Sequence, residues 1–478
     1  MRALSLLLAA VPFFVGATLC AQEGVSWSDP YPAVAATPVP PPSASDATLQ
    51  RLNQLEAETQ ALRAEVQQLR DQTVRLPAVS ATPAAMALAP APQSPPAEEY
   101  FTMDELRGEM KKYAWKKGDF TIVPYGILWG NMVYSTQRTS PGSYTLFVQS
   151  ASTQPESEFI TDGRNTRIGC DVTGPRVPLL NCAQSGGKLE VDFQNSVLST
   201  ENKGTLLLRH AYVEVKDEEF RLLFGQTWDV ISPLNPGMLM YSIAWDAGNI
   251  GYRRAQLRGE RFLAFSDTSL VTAQLSANQT VLEDGTTTIR GESPSWPIIE
   301  GRAAWTIGYR GKDALPITVG ISGHIGEEQA DIGTIILNQS RRTWSGNIDF
   351  RMPINERLGF QAECFTGENL GAFLGGIGQG IDPVTLNPIR STGGWISFWY
   401  DWTPCLHSNF GYSIDDPLDQ DLTVGSEKTY NQCYFGNISY DLTKSFLIGF
   451  EVSSWKTLYL RQLPGDSVRC EFVAKYGF

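Results

Sequence analysis

From about residue 117 to the C-terminus the apolar residues of this chain recur with a period of two, and after the first 21 residues no apolar run reaches the length of a spanning helix. A helix needs about 20 consecutive apolar residues to cross a bilayer, so a helical membrane protein is excluded. Any crossing must use β-strands, whose side chains alternate between two faces. Sixteen alternating stretches are legible, near 119–134, 165–173, 187–198, 204–216, 219–228, 251–258, 260–276, 299–310, 314–325, 342–352, 357–366, 392–402, 405–414, 428–441, 444–456 and 466–478. Tight polar turns such as Lys216 to Glu219, Gly311 to Ala314, Pro353 to Glu356, Thr403 to Cys405 and Asp441 to Lys444 separate some of them. Longer connections near 136–164, 229–250, 277–298, 326–341, 367–391 and 415–427 separate others, mostly in alternation. Short turns on one side and long loops on the other mark a transmembrane β-barrel. Two connections break the rule: the one around Cys170 to Cys182 is long where a short one is due, and that at 199–204 is short.

The N-terminal quarter reads differently. Residues 1–21 have a short positive start at Arg2, an apolar run from Leu4 to Leu19 and small residues near Ala21, the pattern of a cleaved signal peptide. Residues 22–45 form a Pro/Ala spacer. Within 46–76, Leu52, Leu55, Thr59, Leu62, Val66, Leu69, Thr73 and Leu76 alternate spacings of three and four, the a/d pattern of a coiled coil. Glu58 and Glu65 at g lie five before Arg63 and Arg70 at e, the spacing of interhelical ion pairs in a parallel coil. A Pro/Ala linker, 77–98, leads to the barrel at 99–478. The expected fold class is all-β: a 16-stranded antiparallel transmembrane β-barrel with an N-terminal α-helical coiled coil.

Export orients the barrel, apolar face to lipid and polar face to the lumen. In 299–310, Ala303, Trp305, Ile307 and Tyr309 share one face, and Arg302, Thr306, Gly308 and Arg310 the other. The last strand ends on Phe478, with Phe472, Ala474 and Tyr476 on the same face, similar to the C-terminal signal read by the bacterial barrel-insertion machinery. On these faces Arg167, Arg221, Arg254, Arg258, Arg302, Arg310, Arg351, Arg469 and Lys475 point inward. So do fewer acids, Asp171, Glu190, Asp192, Asp349, Glu363, Glu451 and Glu471. Two readings stay open: the arginines form a path for small anionic solutes, or they pair with these acids and brace the wall. The third long loop, from Trp228 to Gly251, is apolar for a surface segment. Either it folds inward and narrows the channel, with Asp229 and Asp246 as its charges, or it rests on a neighbouring subunit.

The remaining chemistry is sparse. The net charge of −13 argues against nucleic acid. His210, His324 and His407 are far apart and lack a metal-site spacing. GGIGQG at 375–380 lacks the strand-to-helix context of a dinucleotide site, and Ser467 in GDS has no base beside it. No catalytic residue, cofactor or metal is expected. Cys170 and Cys182 are the one close cysteine pair in a loop-like setting and could form a disulfide.

At RHAYVEV, FGQTWDVISPLNPG and YRRAQLR, within 209–258, the chain resembles the DcaP-like porins. RIGCDVTGP before KLEVDF, the heptads and the terminal Phe478 fit the same family. The resemblance implies a homotrimer in the cell outer membrane, a periplasmic coil and passive diffusion of small solutes, favouring organic anions such as dicarboxylates. Phosphate-selective porins share the plan, and a structural protein tethering the envelope through its coil is the reading from another class.

Overall fold

The computed structural model describes residues 114–194, 204–280, 288–289, 296–308, 315–332 and 336–478; the signal, spacer, coiled-coil and linker segments, and Arg310, lie outside them. Alternation and hydrogen-bond pairing build sixteen wall strands. In chain order they are β1 (Phe120–Ser135), β2 (Glu158–Asp162 and Arg167–Val177), β3 (Ala183–Asp192) and β4 (Leu207–Lys216). Then come β5 (Phe220–Trp228), β6 (Arg253–Ser266), β7 (Ser269–Asn278) and β8 (Ile298–Ile307). The far wall is β9 (Ile317–Ile332), β10 (Ile336–Pro353), β11 (Leu358–Glu368) and β12 (Arg390–Asp401). The ring ends with β13 (Leu406–Pro417), β14 (Lys428–Thr443), β15 (Phe446–Tyr459) and β16 (Gly465–Gly477).

Each strand pairs antiparallel with the next, and β16 pairs with β1, for example Lys475 opposite Trp129, so the sheet has no free edge. The closing strand is composite. Trp115–Lys117 folds back on Phe120–Ile122 along the same side of β1 that β16 occupies, and so continues the line of β16. Between the two pieces, Phe478 donates to the Gly126 carbonyl (3.0 Å) and Gly126 donates to the Phe478 carbonyl (2.9 Å). A side chain at position 126 would overlap the Phe478 ring, so only glycine leaves that ring its place.

Seven short turns lie at one end of the barrel and eight loops at the other. The two exceptions noted above vanish. β2 runs on to Val177 and turns within 178–182, while the following loop opens at 193 and reaches 206. The turn between β6 and β7 lies at 267–268, not beside Gly259; that glycine sits within β6, opposite Leu222 and Leu275, where it interrupts the apolar pattern but not the strand. The loop after β9 shrinks to 333–335 because β9 and β10 are 16 and 18 residues long.

Cys170 and Cys182 are both free thiols, a correction to the disulfide expectation. Cys170 sits in β2 opposite Leu189, whereas Cys182 lies in the turn beyond Val177. Seven residues of strand separate Cys170 from Val177, roughly 20 Å at about 3.3 Å per residue. A disulfide holds its Cα atoms within about 7 Å.

The outward face is apolar. Leu128, Met132, Val319, Ile321, Ile348, Phe410 and Phe472 are exposed there, and a ladder of rings, Phe350, Phe360, Phe398 and Phe410, crosses β10 to β13 with centroids 5.4, 5.6 and 5.1 Å apart. Such a surface is stable only against hydrocarbon. Removing Phe478 deletes two ladder hydrogen bonds at the seam, each worth about 0.5–1.5 kcal/mol. The expected outcome is a lower denaturant midpoint of the barrel in detergent micelles, read by the band shift between unheated and heated gel samples.

Candidate functional site

The third loop, L3 (229–252), folds into the lumen. Its sequence dictates this: Val230, Ile231, Met238, Leu239, Met240, Tyr241 and Trp245 are all buried, which no loop in water would permit. Pro233 and Pro236 remove two donors, and four of the remaining amides find wall side chains as L3 crosses. Val230 N–H donates to Glu300 of β8 (2.8 Å), Leu234 N–H to Glu363 of β11 (2.7 Å) and Gly237 N–H to the Ser397 hydroxyl of β12 (3.0 Å). Leu239 N–H donates to Glu451 of β15 (2.7 Å), and the Tyr241 hydroxyl to Asp192 of β3 (2.8 Å).

Two apolar clusters fix the loop sideways. Met238, Met240, Ala244 and Ala247 meet Val148, Cys433, Phe435 and Trp455 on one side. Ile231 and Ile250 meet Ile298, Phe365, Leu370 and Phe373 on the other. The sixth loop, L6 (369–389), joins from above: Gly251 N–H donates to Phe373 O (2.7 Å) and Asp246 N–H to Leu374 O (2.9 Å). GGIGQG at 375–380 is the inner bend of L6, where Gly376, Ile377 and Gly378 take left-handed φ values of 62°, 55° and 69°. L6 is in turn clipped to the seventh loop by Asp382, which accepts from the backbone and hydroxyl of Thr423 (3.0 and 2.6 Å). Arg390 grips Asp421 with two 2.8 Å bonds and holds that carboxyl below its ordinary value.

The inward arginines divide into two groups. Arg221 pairs with Glu214 (2.6 Å) and Glu260 (3.4 Å), Arg258 with Glu260 (3.3 Å), Arg302 with Asp349 (2.6 Å) and Arg469 with Glu471 (3.1 Å). Arg254 pairs with Asp229 (2.7 Å), both side chains nearly without solvent contact. Arg351 stacks over Trp399 at 5.2 Å and stays exposed to the lumen. For most of the ladder the bracing alternative is what the structure holds.

Arg167, Arg253 and Lys475 make no ion pair among the described residues. Arg167 and Lys475 lie over Trp129, 5.4 and 3.7 Å from its ring centre. Arg253 sits among Trp228 (4.8 Å), Tyr252 (4.8 Å) and Trp245 (5.9 Å). The Nε of Arg167 and both Nη of Arg253 are buried without a hydrogen-bond partner. Arg167 is an electrostatic neighbour of Arg253 and of Lys475, so the three form one cluster. Trp228 thus walls this cluster, while Asp229 is spent on Arg254 and Asp246 is buried within L3. Beneath the base of L3 a cavity of about 200 Å³ opens between Trp228, Pro233, Tyr252, Arg258 and Gln274.

Sequence reasoning missed Arg253 and Arg209. Arg209 is the extra residue of a bulge: Glu190 pairs with His210 and Val191 with Leu208, so Arg209 and His210 both turn inward. It is neutralised by Glu190 (2.6 Å) and Asp192 (2.7 Å). Arg253 lies where β5 and β6 pair only with each other and both residues of Arg253-Arg254 are buried, which strict alternation forbids.

Comparison with solved structures places this barrel among outer-membrane channels in fold. The outer membrane channel DcaP of Acinetobacter baumannii matches with a TM-score of 0.61 at 19% identity, over 76% of this chain and 99% of that one. OmpF of Salmonella typhi, solved with daunomycin, matches with a TM-score of 0.50 at 11% identity, over 76% and 100%. No protein-family model and no curated protein sequence matches the chain. The heptad and trimer expectations concern segments and copies beyond the described residues.

Replacing Asp229 by alanine strands Arg254 without its carboxylate in a dry setting. The expected cost is about 3–5 kcal/mol of unfolding free energy, with L3 newly open to limited proteolysis in folded protein; unchanged protease resistance would count against the anchoring role.

Proposed function

We propose that this chain is an outer-membrane porin through which small solutes diffuse passively, with a preference for small organic anions such as dicarboxylates. One observation carries the preference: Arg167, Arg253 and Lys475 cluster beside L3 without an ion pair among the described residues, the nearest acids, Glu190 by Arg167 and Glu451 and Glu471 by Lys475, being engaged with other partners. Positive charge without an ion pair at the lumen wall, where water is scarce and screening weak, attracts an approaching carboxylate through its field. The paired arginines contribute little net field, because each sits beside an acid of equal charge. The resemblance read from residues 209–258 points the same way, and the DcaP channel shares the fold.

The rest of the notion follows from the sequence. Residues 1–21 direct export and are removed, and 46–76 form a periplasmic coiled coil that gathers three copies. The strand ending at Phe478 is read by the insertion machinery, and lipid surrounds the outward face.

In planar bilayers under a salt gradient, the reversal potential should show anions crossing several-fold faster than cations. Arg167→Ala with Arg253→Ala should move it toward zero or to cation preference. Arg302→Gln with Asp349→Asn, which removes a neutral pair, should leave it in place. Cation preference in the native protein would sink the proposal.

A further inference from the structure

L6 roofs the constriction and meets the seventh loop, L7 (418–427), through one side chain, Asp382. One oxygen of Asp382 accepts the Val384 and Thr385 N–H groups (3.0 and 2.6 Å) and the Thr385 hydroxyl (2.9 Å), which fixes the tip of L6 as a turn. The other accepts the N–H and hydroxyl of Thr423 in L7. That N–H is shared. Glu427, at the end of L7, takes it at 2.7 Å and takes the Val424 N–H at 2.6 Å. Two carboxylates from two loops thus converge on one donor, and both residues are buried.

Two ionised carboxylates in contact repel, whereas one proton between them turns the repulsion into a hydrogen bond. The surroundings decide which member holds it. Burial alone would raise Asp382, but the N–H and O–H donors of Thr385, Thr423 and Val384 outweigh it and hold that carboxyl below its ordinary value. Glu427 goes the other way: burial and the Asp382 carboxylate outweigh its two N–H donors and push it up. The other charges around the two loops have other partners. Arg390 holds Asp421, whose carboxyl stays low, and Arg341 donates to Leu386 O (2.5 Å). Lys428 faces Asp246 of L3 as well as Glu427, with its Nζ 4.3 Å from the centre of the Phe147 ring. Asp415 of β13 accepts Ile377 N–H (3.3 Å) and the Ser391 hydroxyl (2.5 Å) at the inner bend of L6; Asp416, Asp419 and Arg461 are exposed.

We propose that Asp382 and Glu427 share one proton in mild acid and so form a latch that fixes L6 over the mouth of the lumen, and that the latch loosens as the proton leaves. What L6 carries sets the consequence. Gln379 exchanges two 2.8 Å bonds with the backbone of Lys428, and the inner bend holds L3 at Gly251 and Asp246. Loosening leaves L3 its wall anchors but frees its roof. Because Glu427 is raised in the folded loops, its contribution is complete below its unfolded value and is lost as pH rises through the folded one. Asp421, held low by Arg390, stays ionised over that interval.

The test reads hydrogen exchange by mass spectrometry over residues 379–389 of the full mature chain in nanodiscs, corrected for the intrinsic effect of pH. In the native protein this segment should exchange several-fold more slowly at about pH 5 than at about pH 7.5. Glu427→Gln, neutral at both, should keep the slow rate throughout, because its amide still donates to Asp382. Asp382→Asn should also lose the pH dependence, and it decides the matter should Glu427→Gln not fold. Asp415→Asn should retain it. A native rate that ignores pH overturns the inference, as does a dependence that survives Glu427→Gln or vanishes only in Asp415→Asn. In planar bilayers the native current should fluctuate more at the higher pH, and the Glu427→Gln current should not. A protein that carries no current tells against the porin reading alone, and the exchange rates still decide the latch.

Discussion

A peptide group inside hydrocarbon has no water to bond, and everything in this structure descends from that fact. A sheet satisfies the constraint only if its two edges meet, and here they meet where β16 and the Trp115–Lys117 strand lie along β1. Once the ring is closed, alternation assigns every wall side chain to lipid or lumen. Isoleucine, leucine and phenylalanine line the outside, and the charge of the wall turns inward except toward the strand ends, where Arg261, Arg342, Lys456 and Asp466 are exposed.

That inward charge behaves as a protein interior does, because L3 and L6 occupy much of the lumen. Wall carboxylates serve two kinds of partner. Glu300, Glu363 and Glu451 accept amides of L3, while Asp229, Glu214, Asp349 and Glu471 accept guanidinium groups. A buried guanidinium left alone would be costly, so most of the inward arginines have an acid. The incompleteness of that pairing at Arg167, Arg253 and Lys475 is therefore the informative part, and the aromatic faces of Trp129, Trp228 and Tyr252 are what make those positions tolerable.

The wall was legible from the chain because period two is a strict rule. Ala303, Trp305 and Ile307 face out and Arg302 and Thr306 in, as their spacing requires. L3 was legible as an apolar segment but not in its direction, since its anchors come from strands up to 212 positions away. Whether a lumenal arginine is free or paired depends on cross-strand register, as for Arg302 and Asp349, which no local pattern encodes. The failures have local causes. The bulge at Arg209 adds a residue without leaving a turn signal, Gly259 imitates a break, and Cys170 and Cys182 are near in number while a length of strand holds them apart.

The seam between Gly126 and Phe478 bears on how such a molecule comes to exist. Its first wall strand must wait for its last residue, so no growing fragment is a smaller barrel; each is an open ribbon with two unpaired margins. A chain cut short by even one strand loses the partner of β1, and with it the only arrangement in which the first margin is covered. The pairing of Phe478 with Gly126 thus makes closure a contest of timing: strand β1, made early, stays uncovered on one side until a segment about 350 positions later reaches it.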